Sequence, residues 1–284
     1  MCGAVAKFVG GDAAEAFAEL EQVRSDHPEH LSARAIQAQM LARSGNRSGA
    51  LPPLLELVER YPNYPGACGL LASLLMPGPN YLDVLARAHE RLKPRTYLEI
   101  GVDSGKSLAL ARKSLTALGV DPDPHVPEQG LPECARLFRE TSDAFFSNHS
   151  RDSVLGARRV DLAFIDGLHR FENALSDFAH CESWAQADST LVLHDCLPIV
   201  KGTTSRERAT NFWVGDTWKV VLALAAHRPE LRVRTIRCPP SGLVVVRRLN
   251  PGSTAIFQNF PAIVAEFSAS EWQHAPGEAP AAFN

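Results

Sequence analysis

Apolar positions in the first third of the chain recur at helical spacing, with Phe17, Leu20 and Val23 on one stripe. The stripe repeats. Laying residues 11–43 over 45–77 matches Gly11-Asp12 with Gly45-Asn46, Leu20 with Leu54, Val23 with Leu57, Pro28 with Pro62, and Ala33 and Ala38 with Ala67 and Ala72. Met76-Pro77-Gly78-Pro79-Asn80 then breaks every regular pattern, which places a domain boundary there. Beyond it the pattern alternates. A helix over Tyr81–Leu92, a strand over Thr96–Ile100, a helix over Lys106–Leu118 and a short strand ending at Asp121 come first. Strands over Ala144–Ser147, Asp161–Ile165, Thr190–His194, Arg232–Arg237 and Leu243–Arg247 follow, with helices between most of them. Such alternation predicts an α/β domain whose mostly parallel sheet of seven strands is covered on both faces. Only Cys238–Gly242 joins the last two strands, too little chain for a parallel crossover, so the last strand is expected to be antiparallel.

The 34-residue period and its small paired alanines resemble tetratricopeptide repeats, about two copies over residues 11–76. The expected organisation is a small all-α helical-repeat domain over 1–78, an α/β domain over 79–250, and a C-terminal helix (Ala262–Phe267) with a disordered Ala/Pro tail over 251–284. Two copies are fewer than the ~3 that usually stand alone, so the repeats should pack on the second domain or on another subunit. They would then serve as a docking or dimerisation surface, giving a homo-oligomer, or simply cover apolar surface.

Composition narrows the class. With 284 residues, 45% hydrophobic and 21% charged, the chain is long enough for a large globular domain plus a small companion. A formal net charge of -3 supplies no positive field for nucleic acid or an anionic membrane. The N-terminus lacks the pattern of a signal peptide and no run of ~18 apolar residues occurs, so a cytoplasmic protein is expected. Six scattered cysteines without a C-x-x-C pair suggest neither a disulfide framework nor a zinc knuckle.

The chemistry is expected where strands end. After the first strand the chain reads Glu99-Ile100-Gly101-Val102-Asp103-Ser104-Gly105-Lys106-Ser107. Three residues separate Gly101 from Gly105 where a P-loop needs four, and Asp103 stands where a dinucleotide fingerprint needs glycine. ATP and NAD are thus disfavoured. An acid two positions before G-x-x-x-G resembles the first motif of class I S-adenosylmethionine-dependent methyltransferases, which have a Rossmann-like fold. The resemblance implies that Gly101, Ser104 and Gly105 hold the methionine part of the cofactor, with Glu99 near its ammonium group. Asp121, 22 residues beyond Glu99, matches the family's ribose-gripping acid. Ser150, in Asn148–Asp152 after the third expected strand, would touch adenine.

The fourth strand runs into Asp166-Gly167-Leu168-His169 and the fifth into His194-Asp195. Adjacent strands lie ~4.8 Å apart, so Asp166, which also borders the cofactor site, can converge with His194 and Asp195 on one cation. Oxygen donors with one imidazole suit Mg2+ or Mn2+. His169 would then be the base that takes a proton from an alcohol. The Asp-Gly-x-His turn and the later acidic residue resemble metal-dependent sugar O-methyltransferases of the macrocin and mycinamicin type over about residues 95–200, although His194 replaces one acid of the pair. Arg206 and Arg208 in the long segment Leu197–Lys219 could clamp an anionic substrate, and Trp213 could stack on a sugar or ring. The expectation is transfer of a methyl group to a hydroxylated small molecule, plausibly a sugar or glycosylated metabolite, with Asp166 and His169 catalytic. Two alternatives stand beside it: a metal-independent N-methyltransferase, and a non-catalytic interaction protein built on a cofactor-binding fold.

Overall fold

The computed structural model describes residues 2–27, 30–127 and 130–274. Five helices come first: α1 (Cys2–Val9), α2 (Ala13–Asp26), α3 (Leu31–Arg43), α4 (Arg47–Arg60) and α5 (Ala67–Leu75). In the 34-residue register Leu20 and Leu54, Ala33 and Ala67, and Ala38 and Ala72 are buried alike, whereas Val23 is half-buried where Leu57 is buried. Pro28, paired with Pro62 in that register, lies outside the described residues, as do residues 275–284 of the expected tail.

Helix α6 (Tyr81–Leu92) opens on a capping box in which Asn80 and Asp83 satisfy each other's backbone N–H groups. Then come β1 (Thr96–Ile100), β2 (Thr116–Val120), β3 (Ala135–Phe138), α7 (Ser142–Asn148), α8 (Arg151–Leu155), β4 (Val160–Ile165), α9 (Phe171–Trp184) and β5 (Ala185–His194). The chain closes with α10 (Lys219–His227), β6 (Arg232–Ile236), β7 (Leu243–Arg247) and α11 (Ala255–Ser268). The seven strands form one mixed, Rossmann-like sheet in the order β3-β2-β1-β4-β5-β7-β6, with β7 antiparallel to both neighbours. Every residue of β1 and β2 is buried, as strands covered on both faces must be. Leu54, Leu57, Leu71, Ala72 and Leu75 of α4 and α5 belong to the same buried apolar cluster as Ile100, Phe145, Ile165 and Trp184. Among the described residues no helix is long and apolar enough to cross a membrane.

Three expected elements are corrected. The helix over Lys106–Leu118 is a single turn of 3-10 helix, Leu108–Ala111, because the sheet register claims Thr116–Val120 residue by residue against Thr96–Ile100. The strand over Ala144–Ser147 is helix α7, capped by Thr141 Oγ1, which accepts from Ala144 N at 3.2 Å. The true third strand lies earlier and pairs Ala135–Phe138 with Ala117–Val120. A short run such as Ala-Phe-Phe is apolar enough for either state, and only its N-cap reveals a helix. The C-terminal helix is longer than Ala262–Phe267, starting at Ala255.

Candidate active site

Strand order reverses between β1 and β4, and in such sheets a crevice opens beyond the carboxyl ends. A cavity of about 790 Å³ lies there, within the range of small-molecule sites. The loop after β1 forms one wall. Gly101 has φ +84, and a Cβ on it would meet the Asp166 carbonyl oxygen at 1.9 Å, so no other residue fits between β2 and β4. Asp121 holds this loop: its Oδ2 accepts from Val102 N at 2.8 Å and Asp103 N at 2.9 Å, and its Oδ1 from Asp123 N at 2.8 Å. A carboxylate offers about four acceptor positions, so one remains for a ligand in the cavity that Asp121 lines.

Glu99 is placed differently from the expectation. It is fully buried beneath the loop and does not line the cavity. Tyr97 Oη donates to it at 2.6 Å and Ser107 Oγ at 2.8 Å, and burial still pushes its carboxyl up to about 8 against these bonds. Ser107, which donates to Glu99, lines the cavity itself. Ser104 also lines it, whereas Gly105, at φ +73, packs against Val126 and Leu131. Ser150 stands outside: its Oγ accepts from Ser153 N at 3.1 Å as the N-cap of α8. The misplaced third strand caused this shift, and Thr141, Ser142 and Asp143 hold the position after β3 instead.

Four acid and imidazole side chains converge at the ends of β4 and β5. His169 Nε2 lies 3.0 Å from Asp195 Oδ2 and 3.5 Å from Asp166 Oδ1. Its Nδ1 is 3.0 Å from the Trp213 carbonyl, which can only accept, so Nδ1 carries the proton and Nε2 faces the two carboxylates. Burial lowers the affinity of His169 for a proton, but the Asp195 and Asp166 carboxylates outweigh it and raise the imidazole to about 9. His194 Nδ1 pairs with Asp166 Oδ1 at 3.0 Å, and the same contest lifts it to about 8. Burial would raise Asp166, yet the His194 and His169 charges hold it well below the usual carboxylate range.

Asp166, His169 and Asp195 each present one donor atom, all within 4.8 Å of one another, a grouping that could hold a metal ion. The grouping includes His169, expected as the base, in place of His194, expected as a ligand. His194 stands behind Asp166, with Tyr81 stacked on its ring at 4.4 Å. Asp195 adopts φ +55, a left-handed conformation that Asp tolerates better than most residues, and Ser241 Oγ donates to its Oδ1.

The segment between β5 and α10 closes the cavity. Arg208 and Trp213 line it, and Trp213 stacks on His169 with centroids 5.1 Å apart. Arg206 does not: it pairs with Glu172 and lies 3.6 Å from Asp216. The segment is anchored at Asp216, whose Oδ1 accepts from Phe171 N at 2.7 Å and whose own N donates to His169 O at 3.1 Å. Gly215 beside it has φ +59, and a Cβ there would meet the His169 carbonyl oxygen at 1.8 Å.

Sequence reasoning missed Tyr81, Ser107, Gly215 and Ser241. The signal for Ser241 was present: an antiparallel β7 beside β5 sets the Pro240-Ser241 turn at the carboxyl end of β5, where His194 faces Leu243. Tyr81 and Gly215 approach through tertiary packing that no local pattern encodes.

Comparison with known proteins bears on the central stretch. Residues 98–196 match a family model described as a methyltransferase domain. That stretch runs from within β1 to the residues just after β5. No curated protein matches it in sequence. Among solved structures, cofactor-bound Rv0187 from MTB is 18% identical with a TM-score of 0.46, over 70% of this chain and 98% of that one. The O-methyltransferase from Bacillus cereus in complex with SAH is 11% identical, TM-score 0.44, over 68% and 94%. The O-methyltransferase TomG from Streptomyces achromogenes, involved in tomaymycin synthesis and in complex with SAM, is 13% identical, TM-score 0.48, over 69% and 95%.

Proposed function

We propose that the protein is an S-adenosylmethionine-dependent O-methyltransferase that acts on a hydroxyl of a polar small molecule. One observation carries this reading: the Gly101 loop with Asp121, and the Asp166–His169–Asp195 cluster, open into a single cavity. In it the loop and Ser107 face the methionine end of the cofactor, and Asp121 accepts from a ribose hydroxyl.

An alcohol is a weak nucleophile for methyl transfer until it is polarised. In an octahedron with ~2.1 Å bonds neighbouring donors stand ~3.0 Å apart. The 3.0 and 3.5 Å separations of His169 Nε2 from the two carboxylates fit such a cation. A bound Mg2+ or Mn2+ would lower the pKa of a coordinated hydroxyl. The chain's own part is positional: the Trp213 carbonyl fixes the tautomer of His169, His194 fixes Asp166, and Ser241 fixes Asp195. In a second, metal-free reading His169 is the base. Either role needs the Nε2 lone pair, so the proton that Asp195 and Asp166 hold on His169 must leave first. The N-terminal helices, read as a repeat domain over 1–78, would cover this site, since Asn211 N donates to Asn63 Oδ1 at 2.7 Å. Trp213 offers a face for a sugar or ring.

Calorimetric titration with S-adenosylhomocysteine, in Mg2+ and in EDTA, tests the reading. Micromolar binding that weakens at least tenfold in Asp121→Ala is the expected result, and absence of binding to the wild-type protein would overturn it. Methyl transfer lost in EDTA and regained with Mg2+ supports the cation. Full activity in EDTA instead favours the metal-free base or N-methylation.

A further inference from the structure

The segment that closes the cavity carries three consecutive charged residues, Arg206, Glu207 and Arg208, and the structure treats the third differently from the first two. Arg206 pairs with Glu172, and Glu207 accepts from Arg170 Nη2 at 2.9 and 3.0 Å, so both are tied to the start of α9. The loop is also closed on itself, because Trp213 Nε1 donates to the Ser205 carbonyl at 2.6 Å and Thr210 Oγ1 to the Phe212 carbonyl at 2.7 Å. Arg208 sits within this closed loop. It lines the cavity, and none of the ion pairs or hydrogen bonds among the described residues engages it.

Five carboxylates line the same cavity, those of Asp103, Asp121, Asp143, Asp166 and Asp195. Arg208 bonds to none of them, so its charge is not spent on the site's own acids. The other lysine or arginine on the lining is Lys106, which belongs to the β1 loop at the cofactor end. A guanidinium held on a pinned loop, at a cavity wall, with five N–H donors unanswered, is suited to grip a carboxylate or phosphate through two parallel bonds.

We infer that the acceptor carries an anionic group, carboxylate or phosphate, and that Arg208 binds it while its hydroxyl faces the Asp166–His169–Asp195 cluster. The inference rests on the methyltransferase reading above. It also divides the two arginines: Arg206 fastens the loop, and Arg208 selects the acceptor.

Two matched probe pairs test this by titration into the full-length protein loaded with S-adenosylhomocysteine and Mg2+. They are 3,4-dihydroxybenzoate against its methyl ester, and glucose 6-phosphate against glucose. The expected result is that at least one acid binds tenfold or more tightly than its neutral counterpart. That preference should vanish in Arg208→Gln, survive in part in Arg208→Lys, and persist in Lys106→Gln. The pair that shows it identifies carboxylate or phosphate. Equal binding of acid and neutral probes, no binding of either, or a preference that outlasts Arg208→Gln or disappears with Lys106→Gln would overturn the assignment of the acid to Arg208. Failure of the parent reading looks different, since S-adenosylhomocysteine itself would then not bind. Its unchanged affinity in Arg208→Gln shows that the variant is folded.

Discussion

Asp177 on α9 is a carboxyl that the folded protein would rather keep neutral. It is 1% exposed, its Oδ1 has no hydrogen-bond partner, and burial pushes it up to about 7 from an ordinary 3.8 against a bond from Ser142. The folded state thus holds its proton more tightly than the unfolded chain, so stability is greatest below about pH 4 for this group and falls as pH rises towards 7. Asp177→Asn removes that cost. Thermal unfolding should show the variant more stable than wild type at pH 8, by up to ~4 kcal/mol, with the gain shrinking to nothing near pH 4. A constant difference across that range would place the effect in packing instead. At the reacting centre, His169→Ala should lower kcat by roughly 10²–10⁴. It should leave S-adenosylhomocysteine affinity within about twofold, because the imidazole faces Asp166 and Asp195 rather than the Gly101 loop. Steady-state kinetics beside calorimetry separates the two. Asp166 and Asp195 were readable in the sequence because each directly follows a strand, and His169 because it stands three residues beyond Asp166. Which imidazole joins the cluster was not, since that depends on the Trp213 carbonyl arriving from 44 residues away.

At the scale of elements, strands covered on both faces wrote their own signature. β1, β4 and β7 stand within a residue of where their apolar runs placed them. The errors fall where a local pattern served two states. Leu108, Leu110 and Ala111 suggested a longer helix, but pairing of Leu118 with Leu98 fixed a strand, and backbone hydrogen bonds across a sheet outweigh a few tenths of a kcal/mol of propensity. That error was harmless, whereas misreading α7 as the third strand moved an expected cofactor contact from Ser142 to Ser150. The connection from β5 to α10 is set by anchors rather than by its own periodicity. Gly215 is one, passing against His169 with no room for a side chain. Gly215→Ala should therefore displace the His169 carbonyl and the loop together. Since a shift of about 1 Å at a reacting group costs up to ~10², methyl transfer should fall ten- to a hundredfold. Cofactor affinity should hardly change. Equal loss of both would mean that the loop also shapes the cofactor site.

Over the whole molecule, the N-terminal helices and the sheet share one interior. The sequence placed a boundary at the Pro-Gly stretch after Met76, and helix does stop there, α5 ending at Leu75 and α6 starting at Tyr81. Burial does not stop with it. Leu71 and Ala72 are fully buried, and Leu75 and Met76 nearly so, in the cluster that includes Trp184 and Ile165. The pattern of one segment shows which face it buries and not what lies against it, so this continuity was not legible. Arg237 of the segment after β6 also donates to the Leu75 carbonyl at 3.2 Å, and Asn211 is bonded to Asn63. Each large apolar side chain stripped of cover forfeits ~1.5–3 kcal/mol, so three or four of them approach the ~5–15 kcal/mol that holds a typical domain together. A chain starting at Asn80 should accordingly be aggregated or unfold well below the full-length protein, as light scattering and thermal melts would show. Were it instead to fold and bind S-adenosylhomocysteine with full-length affinity, the helices would be a separable appendage, and the Asn63–Asn211 bond would have no part in holding the cavity closed.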